Sequence, residues 1–276
     1  MSFQFEGRHL KRFAATGRLD ALAPESSLSE VFHENTKLTP LTARAYSAAI
    51  ARFLTSAGCE VTRHPAKIYS LARAIPLPVP VPAAGIEEAI AGRRSGRRYT
   101  GEPVTREELA RLLAFSHGIT DARLGYRAAP SGGALYPLEI YVLPRRTEGL
   151  EPAVYHYDVE HHALRVVGRS DPWPSLTACV TFSDVEIDKT ALVLVVTAIF
   201  QRSTFKYRDR GYRMVLMEAG GLVQTVCLLA TALGLACCLM GGFYDDALAA
   251  LLGLDGTHEA PLVPIVIGRR PAGGGP

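Results

Sequence analysis

The chain has 276 residues, of which 48% are hydrophobic, and its 30 basic and 27 acidic residues leave a formal net charge of only +3. This length and composition suit one large hydrophobic core and exclude a disordered or fibrous chain. So small a net charge gives no reason to expect binding to nucleic acid or to a membrane surface, and neither partner is predicted.

The N-terminal 82 residues are predicted to form an extension that precedes the main domain, residues 83–276. A helix is predicted where Thr39 and Pro40 begin a run with apolar residues at helical spacing and Gly58 ends it. A proline-rich segment follows, and its alternation of proline with apolar residues favours an extended strap over a helix or a central strand. Its prolines are Pro76, Pro78, Pro80 and Pro82.

The main domain is predicted to mix helices and strands. Thr105 and Glu108 form a capping box ahead of a helix that ends near Ser116. Short β-rich runs follow at 136–143, 153–158 and 163–167, the last two predicted to pair as a hairpin, and two apolar runs at 191–200 and 262–267 indicate buried strands. Because these elements interleave without a strict βαβ repeat, the predicted fold class is α+β.

The stretch from Ala219 to Tyr244 contains no charged residue and is long enough to span a bilayer. Its glycines and polar residues make it a poor lipid-facing segment, and no cluster of Lys or Arg flanks it. We therefore predict a helix over 212–233 that is apolar all round and buried in a soluble protein.

Residues 93–98, RRSGRR, place four guanidinium groups and a hydroxyl beside a glycine that would let the backbone turn. Arginine forks bind phosphate oxygens bidentately, and the hydroxyl of Ser95 can donate a further hydrogen bond. This cluster is compatible with a phosphate site. A solvated basic loop is the alternative, because no Walker or G-x-G-x-x-G pattern stands nearby.

Four segments together resemble the nitroreductase superfamily: RRSGR at 93–97, APSGGALYP at 129–137, CLMGGFYD at 238–245 and IVIGRR ending at Arg270. The resemblance implies a central, mostly antiparallel sheet flanked by helices, and it makes residues 83–276 an FMN-binding catalytic domain. It implies that the arginine segment holds the phosphate, the ribityl chain and the pyrimidine edge. The residues so assigned are Arg93, Arg94, Ser95 and Arg97.

The same resemblance assigns the flavin ring to two glycine-containing loops. Pro130, Ser131 and Gly132 would face the ring, and a backbone N–H of Gly241 or Gly242 would point at flavin N5. Glycine suits such positions because a main chain without Cβ can approach a flat ring closely. Arg269 of the terminal segment is also implied to bind the cofactor. Two ordinary turns are the alternative interpretation of the glycine pairs.

A narrower resemblance is to the SagB-type branch, which oxidises thiazolines and oxazolines in modified peptides. It rests on HENTK at 33–37, PAKIY at 65–69, YHYD at 155–158 and RSTFKYRDRGYR at 202–213. It implies that Lys206 and Tyr207 are catalytic. One departure is Gly-Gly at 220–221, where that branch often has Gly-His.

Aromatising an azoline ring removes a proton from carbon and a hydride equivalent to the flavin, so a base is required. Lysine and tyrosine both have an ordinary pKa near 10, and one of them must be lowered by its surroundings to act at neutral pH. The alternative is that Lys206 and Tyr207 lie on a surface loop. The histidines show no metal-ligand spacing, and the adjacent thiols of Cys237 and Cys238 are expected to be buried and inert.

The expected function is therefore FMN-dependent oxidation of azolines to azoles, with oxygen reoxidising the flavin. The alternatives are an NAD(P)H-dependent nitro- or quinone-reductase of the same fold, and a flavin-free scaffold for a partner synthetase. The expected substrate is an azoline-bearing peptide or a carrier-protein-bound one. A separate ring-forming cyclodehydratase or synthetase is expected because no ATP-binding loop is present.

The remaining expectations concern assembly and location. A homodimer with the flavin near the subunit boundary is predicted from the family fold and from the apolar 212–233 helix. Five cysteines without C-x-x-C spacing, and an N-terminus in which charge interrupts every apolar run, predict a cytoplasmic protein with reduced thiols and no export signal.

Overall fold

The computed structural model describes residues 69–78, 85–180, 185–256 and 258–272, together with positions 45, 48, 49, 51, 52 and 67. The five positions between 45 and 52 are helical, within the helix predicted after Pro40. The HENTK motif, the rest of that helix and the last two prolines of the strap lie outside the described residues. The predicted division at residue 82 stays a prediction.

A seven-stranded sheet forms the centre of the fold, and every neighbouring pair in it is antiparallel. The strand order is β1-β6-β5-β4-β7-β9-β8, with a separate β2-β3 ribbon. The strands are β1 Ala74–Pro76, β2 Ile119–Asp121, β3 Tyr126–Arg127, β4 Leu138–Pro144, β5 Val154–Asp158, β6 Ala163–Gly168, β7 Leu192–Ile199, β8 Leu235–Leu239 and β9 Glu259–Arg269. The predicted hairpin is confirmed as β5-β6.

Six helices with assigned bounds accompany the sheet. They are α1 Ile86–Gly92, α2 Arg106–His117, α3 Trp173–Cys179, α4 Gln201–Tyr207, α5 Asp209–Ala232 and α6 Asp245–Leu252. The capping box of α2 forms as predicted, with the Thr105 side chain accepting from the Glu108 backbone and the Glu108 carboxylate accepting from the Thr105 backbone. Helix α5 is the longest and packs against α1, α2 and α4.

The two faces of the sheet carry separate hydrophobic clusters. Leu192, Leu194 and Val196 of β7 pack into the cluster that contains α2 and α5. Val193 and Val195, which point the other way, pack into the cluster of α3 and α6. Alternate residues of one continuous apolar run therefore fill both cores, which is how a strand buried on both faces should behave.

Helix α5 differs from the prediction of a helix buried all round. One side of it is buried, whereas Leu216 and Met217 on the other are 42% and 68% exposed. Within the described residues, α5 is the one helix whose length and composition would allow it to cross a membrane, and 44% of its apolar window is buried in the protein. A helix that packs on a sheet passes the same test.

Two shorter segments can be compared with the alternatives that the sequence left open. Residues 201–207 form a helix, α4, where a surface loop was the alternative interpretation. The proline strap begins as β1, which pairs with β6 at the edge of the sheet. An edge strand tolerates proline because one side of its backbone needs no partner strand.

Candidate active site

The arginine segment lies against the edge strand β8. Ser95 and Cys237 pair through their backbones as an isolated parallel β-bridge, and the backbone N–H of Gly96 donates to the Cys237 carbonyl at 2.9 Å. A Cβ on Gly96 would lie 2.7 Å from the Cβ of Ala236. Glycine is therefore needed here for close approach to β8, and the turn expected at this position is not observed.

The arginines predicted to bind phosphate have different surroundings. Arg94 and Arg97 are exposed and Arg93 is half-buried, and the guanidinium of Arg94 donates to the carbonyls of Ala91 and Arg93 at 3.1 and 2.7 Å. Arg269 instead forms a bidentate ion pair with the α2 cap residue Glu108, at 2.7 and 2.9 Å. A phosphate would have to compete with that carboxylate for the Arg269 guanidinium.

Gly241 and Gly242 lie just beyond the end of β8, the strand that the arginine segment contacts. Gly241 is exposed, and a Cβ built on it would meet no atom within 4 Å. The backbone therefore borders open space at the position where a flat ring was predicted to lie.

The loop that contains Pro130, Ser131 and Gly132 holds an unusual backbone. Ala134 and Tyr136 both have positive φ, 54° and 44°, which non-glycine residues adopt rarely. Four contacts hold Tyr136. Its backbone N–H donates to Ser131 Oγ at 2.8 Å, and its carbonyl accepts from the Arg202 guanidinium at 2.8 Å. Its hydroxyl accepts from the backbone N–H of Arg127 at 3.1 Å, and the Arg127 guanidinium lies 4.6 Å from its ring centroid.

Lys206 and Tyr207 end α4 and lie next to this loop. A Cβ on Gly133, whose φ is 69°, would be 2.5 Å from the Tyr207 hydroxyl oxygen and 2.9 Å from Lys206 Nζ. Both functional groups therefore lie against the Gly133 backbone, within one residue of the predicted ring-facing Gly132. Lys206 Nζ is also 5.2 Å from the Tyr207 ring centroid.

Glu218 of α5 contacts the same loop. It was not identified as a site residue from the sequence. Its side chain, in a residue 8% exposed, hydrogen-bonds with the Ser131 side chain and accepts from the Gly132 backbone. Burial raises the pKa of Glu218 to about 7, although these hydrogen bonds and the charge of Arg127 oppose the rise. The available signal was a single carboxylate placed immediately before the uncharged 219–244 stretch.

Comparison with known proteins identifies the family. Residues 90–269 match the model of the Nitroreductase family. The chain belongs to the nitroreductase family. A Methanocaldococcus jannaschii protein named as a nitroreductase, MJ1384, is 38% identical over 185 residues, which are 67% of this chain and 91% of that protein.

Two further matches define the branch of this nitroreductase. The Escherichia coli microcin B17-processing protein McbC is 36% identical over 160 residues, which are 56% of this chain but only 58% of McbC. The structure of the E. coli microcin synthetase McbBCD complex with truncated pro-MccB17 bound matches with a TM-score of 0.60 and 26% identity, over 90% of this chain and 98% of that one. The chain is thus a flavin-dependent oxidoreductase of the SagB/McbC-type branch.

The predicted site residues of this nitroreductase form two groups in one chain. Group one, at β8, contains the arginine segment and Gly241. Group two contains Ser131 and Gly132 of the loop before β4, with Lys206 and Tyr207 from the end of α4. Strands β7 and β9 separate β4 from β8 in the sheet, which sets the two strands about 14 Å apart. The structure brings the predicted catalytic pair to the predicted ring-facing loop, whereas the arginine segment lies against β8.

Proposed function

We propose that this nitroreductase oxidises thiazoline and oxazoline rings of a peptide to thiazoles and oxazoles with bound FMN. The observation that carries the proposal is the placement of Lys206 Nζ and Tyr207 Oη together against Gly133. A flavin ring bound against the adjacent loop would lie beside two side chains that can exchange protons with the substrate. Similarity to McbC, a microcin-processing protein, supports a peptide substrate.

The residues present fit FMN. In the proposal Arg93, Ser95 and Arg97 hold its phosphate, and the open space beside Gly241 admits the ring. FMN is proposed over FAD because the sequence has one compact arginine cluster and no dinucleotide-binding fingerprint. Bound FMN would supply the acceptor for a hydride equivalent, with oxygen as the final electron acceptor.

The chain's own contribution to the reaction is proton transfer and orientation. Azole formation removes two hydrogens from each ring, one as a proton and one with its electron pair. Lys206 or Tyr207 takes the proton, and the other orients it or stabilises its charged state. Ser131 and Glu218 fix the loop on which the ring would rest.

A peptide that already carries azolines, made by a separate cyclodehydratase, tests the proposal. The purified protein with its own bound flavin should remove the mass of two hydrogen atoms per ring, as measured by mass spectrometry. Lys206→Ala and Tyr207→Phe should each slow this step by about a hundred- to ten-thousand-fold while flavin content stays at the wild-type level. Lys189→Ala, which changes an exposed lysine elsewhere, is the control.

Three results would contradict parts of this proposal. Near-normal rates in both variants would remove Lys206 and Tyr207 from the chemistry. Heat-released FAD in place of FMN would overturn the cofactor. Conversion of an unmodified Cys- or Ser-containing peptide by this chain alone would show that it also forms rings.

A nitro- or quinone-reductase is the second candidate function. The similarity to MJ1384, which extends over 91% of that protein, favours it. It predicts rapid oxidation of NADH or NADPH in the presence of a nitroaromatic or a quinone, with no loss of hydrogen from an azoline peptide.

A synthetase partner is part of the leading proposal. The McbBCD structure, in which a chain similar to this one belongs to a complex with a bound propeptide, supports it. Co-expression of this chain with its cyclodehydratase should yield a complex that survives size-exclusion chromatography.

A further inference from the structure

A buried carboxylate joins the sheet to the helix that carries Lys206 and Tyr207. Glu139 of β4 is 2% exposed, and its two oxygens have different partners: His156 Nε2 at 2.7 Å and the Arg202 guanidinium at 2.5 Å. Burial would raise the pKa of Glu139, but the hydrogen bond with His156 and the charge of Arg202 lower it to about 2. Glu139 is therefore a carboxylate at neutral pH.

Arg202 is a residue of α4 and connects this helix to Glu139. The guanidinium nitrogen that contacts Glu139 also donates to the carbonyl of Tyr136. Arg202 precedes Lys206 by four residues, so the two side chains leave the same side of α4. Arg202 thus fixes the start of the helix to the loop at Tyr136, and the end of the helix meets the same loop at Gly133.

Helix α4 depends on such an attachment. It has seven residues and no side-chain cap at its N-terminus, and the next residue, Arg208, has a φ of 50° that ends it. A helix this short is not stable on its own, so its tertiary contacts decide where its last two residues lie.

The second partner of Glu139, His156, packs against a residue of the predicted N-terminal extension. The His156 ring has its centroid 5.0 Å from that of Tyr69 and 5.3 Å from that of Tyr141. The Tyr69 and Tyr141 hydroxyl oxygens are 2.9 Å apart, and Lys67 Nζ donates to Tyr141 at 2.6 Å and to Glu259 at 2.5 Å. The PAKIY and YHYD motifs therefore meet in one buried network.

We propose that Glu139 and Arg202 are positioning residues that hold Lys206 and Tyr207 at Gly133, with His156 seated behind Glu139 by Tyr69 of the N-terminal extension. The role in catalysis rests on the proposed function, whereas the mechanical link to α4 does not. Loss of the Glu139 charge leaves the half-buried Arg202 without its anionic partner, with only the Tyr136 carbonyl among the described residues to hold it, and weakens the attachment of the start of α4.

The test compares two carboxylate-to-amide variants on one sheet. Glu139→Gln breaks the pair with Arg202, whose side chain is 16% exposed. Asp158→Asn breaks a matched pair, in which Arg165 is 14% exposed and lies 2.7 Å from Asp158. Hydrogen exchange measured by mass spectrometry should show the backbone amides of residues 201–207 exchanging about tenfold faster or more in Glu139→Gln, and at the wild-type rate in Asp158→Asn.

Turnover supplies the second readout. Glu139→Gln should lower kcat for azole formation by about ten- to a hundred-fold with flavin content unchanged, because the base is misplaced while the cofactor residues are not. The triple variant Glu139→Gln, Lys206→Ala, Tyr207→Phe should be no slower than Lys206→Ala, Tyr207→Phe, since no catalytic group is then left for Glu139 to position. Arg202→Lys should retain more activity than Arg202→Gln, because an ammonium group can still bind the carboxylate.

Equal exchange in α4 for Glu139→Gln and Asp158→Asn would overturn the positioning role, as would a further loss of rate on adding Glu139→Gln to the variant that lacks both catalytic groups. A wild-type protein that does not oxidise azolines would contradict the proposed function alone. The exchange comparison would then still decide whether Glu139 holds α4.

Discussion

Gly133 is central to the candidate site, because the side chains of both Lys206 and Tyr207 lie against it. Gly133→Ala should slow azole formation by about tenfold or more, since the new methyl group would fall 2.5 Å from the Tyr207 hydroxyl and displace it. Positive φ at an alanine adds a loss of about 1 kcal/mol in the free energy of unfolding. Flavin content and single-turnover rates measure the outcome.

A second glycine with a similar φ separates the effect of backbone strain from the effect of displacing Tyr207. Gly125 has a φ of 70°, against 69° for Gly133, but its Cβ would meet no atom within 4 Å. Gly125→Ala should therefore lose similar stability and keep its activity. Equal activity in the two alanine variants would mean that Lys206 and Tyr207 do not need their present position.

Glu218 should make stability depend on pH. Its pKa rises from an ordinary 4.5 to about 7 on folding, so the folded state binds more protons between these values and stability falls as pH rises through them. The total loss is about 3 kcal/mol above pH 7. Urea unfolding at pH 5 and pH 8 isolates this contribution when the wild type is compared with Glu218→Gln, because other groups such as His117, whose pKa burial lowers to about 3, titrate in both proteins. Going from pH 5 to pH 8, the wild type should lose more stability than the variant, or gain less; the same change in both proteins would contradict the raised pKa.

Single residues differ in how well the sequence predicts them. Short motifs assigned Lys206, Tyr207 and residues 130–132 to one site, and the structure places them close together, while their roles stay predictions. The ion pair of Arg269 with Glu108 was not, because it joins positions 161 residues apart. The same holds for Glu139, which gains its role only when folding brings β5 and α4 beside it.

At the scale of elements, the capping box of α2 should contribute measurably to stability. Thr105→Ala removes the side-chain acceptor for the Glu108 backbone, and we expect a loss of about 1 kcal/mol in the free energy of unfolding. The helix buries Leu109, Leu112 and Leu113, so loosening its start reaches the core. Thr120→Ala, in an exposed threonine with one weak hydrogen bond of 3.4 Å, should change little.

Elements with strong local signals were predicted to within about two residues, and weakly marked ones were not. Helix α2 has its capping box, and β7 has its continuous apolar run. Helices α1, α3 and α4 have seven residues each and no side-chain cap, so tertiary contacts specify them. Helix α6 had usable signals, two aspartates at its start and a left-handed Gly253 at its end.

At the scale of the whole molecule, the spacing of the two residue groups has to be compared with the length of FMN. The sheet type followed from the family resemblance and is confirmed, but the roughly 14 Å between β4 and β8 was not predictable from motif order. FMN carries its phosphate and its ring at opposite ends, so one cofactor can reach across a separation of this size. The predicted homodimer therefore rests on the family resemblance and on the exposed side of α5.

The exposed side of α5 is the surface on which we expect this homodimer to form. Leu216 and Met217 are exposed there, and Gly220 and Gly221 present bare backbone, since a Cβ on either would meet no atom within 4 Å. Ile86 of α1, which lies near Leu228 and Leu229 towards the C-terminal end of α5, is 63% exposed. A surface of this kind marks a contact with another protein, and a twofold axis is the commonest way to bury it.

Met217→Asp should therefore divide the dimer. Light scattering should give twice the chain mass of 29.8 kDa for the wild type and that single mass for the variant. Flavin should be lost together with the dimer, because the flavin is predicted to lie near the subunit boundary. Leu124→Asp places the same charge on an exposed leucine in the β2-β3 turn and should remain a dimer with full flavin content. A monomeric wild type that keeps its flavin and oxidises azolines would show that one chain closes the site by itself.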